Sequence, residues 1–234
     1  MPAVSAIVVA AGRGVRLGEG ARKAFRQLAG RALVEWSLEA LAAVEEIAEI
    51  VLVLHEGDFA RGPKGFAKGP TDYRVKALVR GGEERFDSVL AGLRAVSPGI
   101  DLVLVHDAAR PFVRPETIRA VIAAADRAGG AIAAVPSTDT LKGVDKEGRV
   151  LGTFGRDAVW RAQTPQVFRR TPFVAAMEQA AKGGEKPTDD AAVAEAAGMS
   201  VVVVPGDETN LKITTAADLS FAEHLISLRH GNRK

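Results

Sequence analysis

The sequence predicts an α/β protein: one domain with a mostly parallel central sheet, helices on its faces and a protruding β-arm. Three observations carry this. Apolar runs of strand length alternate with helical period from Val4 to Leu54, a strand–helix–strand unit whose crossover should be right-handed. Several strands end in polar loops, at 12–23, 80–88, 106–110 and 209–212, as they do when their carboxyl ends share the working edge of an open sheet. Between Pro136 and Phe168 the helical period disappears and a tight, charged turn takes its place.

Val4–Ala10 is continuously apolar and rich in β-branched residues, the pattern of a strand buried on both faces. It runs into a loop dense in Gly, Arg and Lys that ends at Lys23. Gly12, Gly14 and Gly18 let the backbone approach a ligand closely. Arg13, Arg16, Arg22 and Lys23 supply cations for phosphate oxygens. The loop therefore reads as a wrap around the triphosphate of a nucleotide, set against a plain surface turn. A dinucleotide fingerprint fails, because Leu17 stands where a third Gly or Ala is needed and no acidic residue ends a second strand about 20 residues on. No register supplies the spacing of a P-loop. Ala32–Val44 spaces Leu33, Trp36, Leu38 and Leu41 as a helix, and Ile47–Leu54 is a second buried strand. Residues 55–72, rich in Gly and Pro, read as a mobile loop whose Arg61, Lys64 and Lys68 form a solvated face.

Val75–Val79 is the third strand, followed by a turn over 80–88 and a helix bearing Val89, Leu90, Leu93 and Val96. Glu83, Glu84 and Asp87 suit the positive end of that helix. Arg85 does not, and asks for an anion nearby. Asp101–Val105 is the fourth strand and ends in His106–Pro111. Asp107, just past the strand's carboxyl end, has two readings. It is a ligand to Mg²⁺, with nucleotide phosphates completing the shell, or half of an Asp–Arg ion pair within its own loop. His106 reads as structural. Pro115–Ala128 is a helix with proline in its first turn, and Ala131–Val135 a fifth strand.

Lys146-Glu147-Gly148-Arg149, between Leu141/Val144 and Val150/Leu151, reads as a hairpin turn. A two-stranded ribbon is marginally stable alone. The arm over 136–163 therefore needs a partner surface, and a second copy of the chain is the natural one. Thr140, Lys142, Arg156 and Arg161 would be presented from it. A helix over Pro172–Ala181 follows, then a second over Ala191–Ala197, capped by Thr188-Asp189-Asp190 and ended by Gly198. A strand over Val201–Val204 and a helix from Thr214/Thr215 to Leu228 complete a domain over 1–229, with 230–234 as a frayed tail.

With 234 residues, 47% of them hydrophobic and 26% charged, the chain can bury a sizeable core. A net charge of +2 is too small to argue for nucleic-acid binding. The absence of cysteine excludes disulfides, thiolate chemistry and Cys-based zinc sites. No leader pattern opens the chain and no apolar run reaches about 18 residues, so a soluble cytoplasmic protein without membrane contact is expected. The loops at the strand ends collect Arg16, Lys23, Arg85, Lys212, Arg156 and one Asp. Fixed cations with a single carboxylate suit nucleotidyl transfer, where a triphosphate must be neutralised and approached in line.

AAGRGVRLG followed by Lys23 resembles the signature loop of sugar-nucleotide pyrophosphorylases and related nucleotidyltransferases. GGEERFDSV at 81–89, VHDAARPF at 105–112, DTLK at 139–142, Arg156 with TPQ at 164–166, TDDA at 188–191 and NLKIT at 210–214 narrow it. Together they are similar to the 2-C-methyl-D-erythritol 4-phosphate cytidylyltransferases of the non-mevalonate isoprenoid pathway, over nearly the whole chain. The resemblance implies a Rossmann-like fold, a homodimer, and transfer of CMP from CTP to methylerythritol phosphate with release of pyrophosphate and a need for Mg²⁺. It implies that Ala10, Ala11, Gly12, Gly14, Gly82, Glu83, Arg85, Ser88 and Ala108 hold the nucleotide. Arg16 and Lys23 would stabilise the charged transition state and Asp107 would hold the metal. Arg156 and Lys212 would place the acceptor phosphate, with Thr140 and Thr188 beside it. The chain departs from the family pattern at Arg22-Lys23-Ala24, where Pro-Lys-Gln is common, and at Glu83, where the family has Asp. Neighbouring readings are a cytidylyltransferase for ribitol phosphate or another sugar phosphate, and a non-catalytic nucleotide-binding relative, which would be expected to lack Lys23 or Asp107.

Overall fold

Val4–Ala10 forms the strand that its apolar run predicts, and the sheet is built outward from it. The computed structural model describes residues 2–12, 14, 22–59, 70–183 and 187–231. In chain order the elements are β1 (Val4–Ala10), β2 (Gln27–Leu28), β3 (Arg31–Ala32), α1 (Leu33–Ala42), β4 (Ile47–Leu54), α2 (Glu56–Phe59), β5 (Val75–Arg80), α3 (Arg85–Arg94) and β6 (Leu102–Asp107). There follow α4 (Pro115–Ala128), β7 (Gly130–Pro136), β8 (Lys142–Val144), β9 (Val150–Thr153), β10 (Trp160–Arg169), α5 (Arg170–Gly183), α6 (Asp190–Ala196), β11 (Val201–Pro205) and α7 (Ala216–Gly231).

Seven strands make one sheet in the order β11-β7-β10-β6-β1-β4-β5. All run parallel except β10, which lies antiparallel between β6 and β7. Both faces are covered. Val4, Ala6, Val8 and Ala10 of β1 pack into a core with Val34 and Leu38 of α1 and Ile118, Val121 and Ile122 of α4. Ile7 points the other way, into a core with Val89 and Leu93 of α3, Phe173 and Met177 of α5 and Val193 of α6. Side chains of both parities are therefore buried, which is why the strand reads as an unbroken apolar run. A third cluster seats Ala222 and Ile226 of α7 on Leu28, Leu33, Phe112 and Ile213.

The structure departs from expectation at four places. Trp160–Arg169, within and beyond the expected arm, is a strand in the interior of the sheet. A proline in that run speaks against a central strand. The ladder accommodates it: the pairing jumps from Ala162 opposite Ala134 to Gln166 opposite Ile132, so Pro165 sits where the strand bulges out of register, after a cis Thr164–Pro165 peptide. The helix expected beyond residue 88 already begins at Arg85. The last helix continues past Leu228 to Gly231, two residues into the stretch expected to fray, and residues 232–234 lie outside the described set. Finally, the small β2–β3 hairpin and the turn of helix α2 have no counterpart in the sequence reading. Residues 60–69, including Arg61, Lys64 and Lys68, lie outside the described residues.

The hairpin around 146–149 is present as β8 and β9, which pair with each other as a separate two-stranded sheet. Asp145 closes its turn by accepting from the backbone N–H of Glu147 and Arg149 at 3.0 and 2.8 Å. Its apolar side chains face outward: Val144, Val150, Leu151 and Phe154 are all more than half exposed.

Buried polar groups tie the α3 layer to the sheet. Glu49 of β4 accepts from the Ser97 backbone N–H at 2.9 Å and from the Ser97 hydroxyl, and pairs with Lys76 at 3.1 Å. Burial alone would raise its pKa, but the Ser97 donors and Lys76 outweigh this and hold it below the ordinary value. A depressed carboxylate stabilises the fold above its unfolded pKa of about 4.3, and that contribution is lost as pH falls through the folded value. Glu49→Gln is expected to lower the free energy of urea unfolding at neutral pH, with the deficit shrinking at about pH 3. A deficit equal at both pH values would assign the loss to packing rather than charge.

Candidate active site

At β1 the strand order turns: β4 and β5 lie on one side, β6 on the other. Open α/β sheets bind ligands outside the carboxyl ends of the strands at such a point. A cleft of about 600 Å³ lies there. Its walls are Ala10, Ala11, Gly12, Gly14 and Lys23 after β1, His55 and Glu56 after β4, and Gly82, Glu83, Arg85 and Ser88 after β5. Asp107 and Ala108 close it at the end of β6, with Lys212 from the segment before α7.

Local sterics explain the glycines that matter. Gly14 has φ +69°, and a Cβ there would stand 2.7 Å from the Cβ of Lys23, so only glycine lets Lys23 come up beside the loop. A Cβ on Gly81 would lie 2.4 Å from Ala11 and 2.7 Å from the Ser88 hydroxyl, where the loops after β1 and β5 touch. Lys23 opens a 3₁₀ turn closed by the Phe25 N–H donating to the Arg22 carbonyl at 2.9 Å.

Charge concentrates at the floor of the cleft. Arg85 donates through Nε to Asp107 Oδ1 at 2.9 Å and through Nη2 to Asp190 Oδ2 at 2.7 Å. Lys212 Nζ meets the other oxygen of Asp107 at 2.7 Å. Burial would raise the Asp107 pKa, but Arg85 and Lys212 reverse this and hold the carboxyl well below the usual range. Burial works against charge on Arg85 too, and Asp190 and Asp107 override it, so the guanidinium stays firmly protonated. For Asp190 burial prevails: its pKa is raised, with Arg85 pulling it back.

Beneath these groups lies a neutral chain. His106 is buried and its pKa is pushed down to about 4, chiefly by burial. Its Nε2 is 3.2 Å from the Arg110 carbonyl, which only accepts, so Nε2 carries the proton. Nδ1 then accepts from the Thr164 hydroxyl at 3.0 Å, and Thr164 Oγ1 accepts from the Asp107 N–H at 3.1 Å. The strand ending in Asp107 is thereby bonded to the bulge of β10. Expected from sequence to be structural, His106 occupies that role here.

Of the residues singled out in the sequence, Ala10, Ala11, Gly12, Gly14, Lys23, Gly82, Glu83, Arg85, Ser88, Asp107, Ala108 and Lys212 all line the cleft. Arg16 lies outside the described residues. Thr188 lines an adjoining cavity of about 120 Å³ that shares Arg85, Asp107 and Lys212 and adds Arg110, Thr164, Gln166 and Asp189. Thr140 and Arg156 are brought together, the guanidinium donating to the hydroxyl at 2.6 Å, but neither lines either cavity. Arg22, expected among the phosphate cations, instead gives Nη1 to Asp58 at 3.0 Å. The sequence marks Asp190 only as part of a helix cap. Asp189 holds that position, accepting from the Ala192 N–H at 2.9 Å, and Asp190 turns inward to Arg85. Two acids in succession at a helix start were the available signal, since one suffices for capping.

Asp107 lines the cleft and is ion-paired, but its partners are Arg85 and Lys212 from other elements rather than Arg110 of its own loop, which donates to the Asn210 and Ala162 carbonyls instead. Each Asp107 oxygen holds one donor, and an ionised carboxylate has about four lone-pair sites. Among the described residues no three acidic or histidine side chains cluster as a metal cage. The donor set fits a hard cation that takes one carboxylate from the protein and its other ligands from phosphate oxygens and water.

The sequence pattern of the 2-C-methyl-D-erythritol 4-phosphate cytidylyltransferase family matches residues 4–228. A protein of that name from Pelotomaculum thermopropionicum is 41% identical over 231 residues, covering 99% of this chain and 97% of its own. A "Bifunctional enzyme IspD/IspF" from Desulforudis audaxviator is 46% identical over 223 residues, and this chain spans 56% of its length. The solved structure of 4-diphosphocytidyl-2C-methyl-D-erythritol synthase from Anaerococcus prevotii is 33% identical, covers 97% of this chain and 96% of its own, and superposes with a TM-score of 0.85.

Arg85 is the one described cation that touches both buried carboxylates. Replacing it by Met leaves two buried acids short of a partner, and a broken buried pair costs about 3–5 kcal/mol. Chemical denaturation of Arg85→Met is expected to show a loss of that order, with part of it recovered in Arg85→Met/Asp190→Leu. A loss under about 1 kcal/mol would mean the pair behaves like a surface salt bridge.

Proposed function

The chain belongs to the 2-C-methyl-D-erythritol 4-phosphate cytidylyltransferase family, and we propose that it transfers CMP from CTP to methylerythritol phosphate, giving 4-diphosphocytidyl-2-C-methyl-D-erythritol and pyrophosphate. The observation that carries this is the meeting of Lys23, Arg85, Asp107 and Lys212 in one cleft at the carboxyl edge of the sheet. A cleft of this size, with small residues and backbone on one wall and fixed cations on its floor, suits a nucleoside triphosphate.

The acceptor's phosphate oxygen attacks the α-phosphorus of CTP. A new P–O bond forms, the bond to the β-phosphate oxygen breaks, and pyrophosphate leaves with the electron pair. The nucleophile is already an anion, so no strong base is needed. The barrier is the approach of two anions, which the Lys23 ammonium offsets at the α-phosphate, with Arg16 as a second cation supplied by the same loop. Gly12, Gly14 and the backbone near Ala10, Ala11 and Ala108 accommodate the nucleotide. Gly82, Glu83 and Ser88 meet the base and its surroundings. Arg85 keeps Asp107 ionised and oriented, and Lys212 beside it faces the acceptor phosphate with Thr188. Asp107 would hold Mg²⁺ together with phosphate oxygens; when bound, the ion neutralises triphosphate charge and orients it.

Thr140 and Arg156 complete the acceptor site from a second subunit. Two observations support this: they lie outside the cleft of their own chain, and the hairpin beside them leaves Val144, Val150, Leu151 and Phe154 exposed. A homodimer covers that surface and brings the Thr140–Arg156 pair over a neighbour's cleft. Among the described residues no helix is long and apolar enough to cross a membrane, in keeping with work in the cytoplasm.

Incubation with CTP and Mg²⁺ against a panel of sugar-alcohol phosphates is expected to release pyrophosphate with methylerythritol phosphate and to yield a cytidine diphospho product. Preference for ribitol phosphate would move the assignment to a sibling activity, and no release with any acceptor would indicate a non-catalytic relative. Lys23→Ala is expected to lower turnover at least about a hundredfold with folding unaffected, since one preorganised donor at such a site contributes ~2.7–4 kcal/mol. Near-normal turnover would refute its role. Arg156→Ala is expected to raise KM for the acceptor far more than for CTP, and equal effects on both would count against a contribution to acceptor binding.

A further inference from the structure

Lys23 follows directly on Arg22, and Arg22 is held in an unusual way. Its Nη1 donates to Asp58 Oδ1 at 3.0 Å, and Asp58 is 1% exposed. Among the described residues, the second oxygen of Asp58 has no hydrogen-bond partner. The Arg22 guanidinium comes up against Gly57: a Cβ there would stand 2.3 Å from Nη2 and 2.8 Å from Cζ. Among the described residues Arg22 is the cation that meets this buried acid, and the residue beneath its guanidinium is a glycine. This is a built seat for one arginine, since burying a carboxylate is costly unless a charge meets it.

The seat is itself rigid. It is the one-turn helix α2, whose Asp58 and Phe59 N–H groups both donate to the His55 carbonyl at 2.9 Å, while the Gly57 N–H donates to His55 Nδ1 at 3.1 Å. His55 directly follows β4 and lines the cleft. Arg80, at the end of β5, also holds α2, pairing with Glu56 at 3.1 Å and lying over the Phe59 ring at 5.0 Å. Two neighbouring strand ends thus hold Asp58, and Asp58 holds Arg22. From Arg22 the chain turns at once into the 3₁₀ turn that carries Lys23. Arg22 has φ −57° and ψ 153°, an extended backbone at the φ that a proline ring would fix covalently.

We propose that the Arg22–Asp58 ion pair is a positioning device for Lys23: a side-chain tether that fixes the direction in which the chain leaves the glycine-rich loop and so aims the lysine into the cleft. Arg22 and Asp58 are positioning residues and touch no reacting atom. The inference rests on the role of Lys23 given above.

The test is a mutant cycle at saturating CTP and acceptor, with Lys23→Ala as reference. A displacement of the lysine by about 1 Å costs up to a hundredfold. Asp58→Ala and Arg22→Ala are each expected to lower kcat at least about tenfold, with KM for CTP changed less than about threefold and Asp58→Asn intermediate. The double variant should be no worse than either single. Arg22→Pro/Asp58→Ala should recover kcat to within about threefold of the parent, because the ring supplies the backbone angle that the tether held. A merely structural pair would not be rescued by proline. Should Asp58→Ala fail to fold, Asp58→Asn and Arg22→Pro/Asp58→Asn carry the same comparison. Singles within twofold of the parent, additive losses, or no rescue by proline would overturn the proposal while leaving Lys23 in place. Full activity of Lys23→Ala would instead remove the role on which it rests.

Discussion

Two acids from distant parts of the chain, Asp107 at the end of β6 and Asp190 at the start of α6, share a single guanidinium. Neither could sit so deep beside the other without it, because like charges in a dry site repel and each raises the cost of ionising its neighbour. Arg85 removes that conflict and does three things by geometry alone. It ties the helix after β5 to the end of β6, it docks α6 against the sheet, and it presents an ionised Asp107 to the cleft. Lys212 adds a second cation to the same carboxylate and draws the segment before α7 into the site. The floor of the cleft is therefore a load of opposite charges that fix one another's directions, and such preorganisation is what a reaction between anions requires.

The parallel sheet makes this economical. Strands that run the same way leave all their carboxyl ends at one edge, so residues separate in sequence arrive together without any element being bent toward the site. The exception, β10, is instructive. It runs against its neighbours, yet its bulge at Thr164–Gln166 bonds to the end of β6 through the Asp107 N–H and His106. The irregular stretch thus serves as the support beneath Asp107, and a buried, neutral imidazole links the two. Gln166 extends the support to α6, accepting from the Ala191 N–H and donating to Asp189, both at 2.9 Å.

Much of the site was legible in the sequence because chemistry-bearing residues stood at the ends of apolar runs. Lys23, Gly82, Asp107 and Lys212 are found that way, by position rather than by any property of the residue alone. Asp190 was not, since two adjacent acids at a helix start look alike until the helix is docked and one of them turns inward. Arg22 was assigned to phosphate by its company in a basic loop, and a buried acid thirty-six residues on takes it instead. Thr140 and Arg156, expected beside Lys212 at one acceptor site, bond to each other but stand apart from the cleft that Lys212 lines in their own chain, a separation that no line of letters carries.

What the sequence by itself determined was local in origin: the strand and helix periods, the glycine-bearing loops after them, and the inventory of cations and acids at strand ends. Periodicity and backbone freedom act over a few residues, so a short window carries them. Only the tertiary structure decided which charges meet, that β10 enters the middle of the sheet, and that Asp58 rather than a ligand receives Arg22. Those outcomes depend on desolvation and pairing between groups far apart along the chain, and burial is a property of the packed whole.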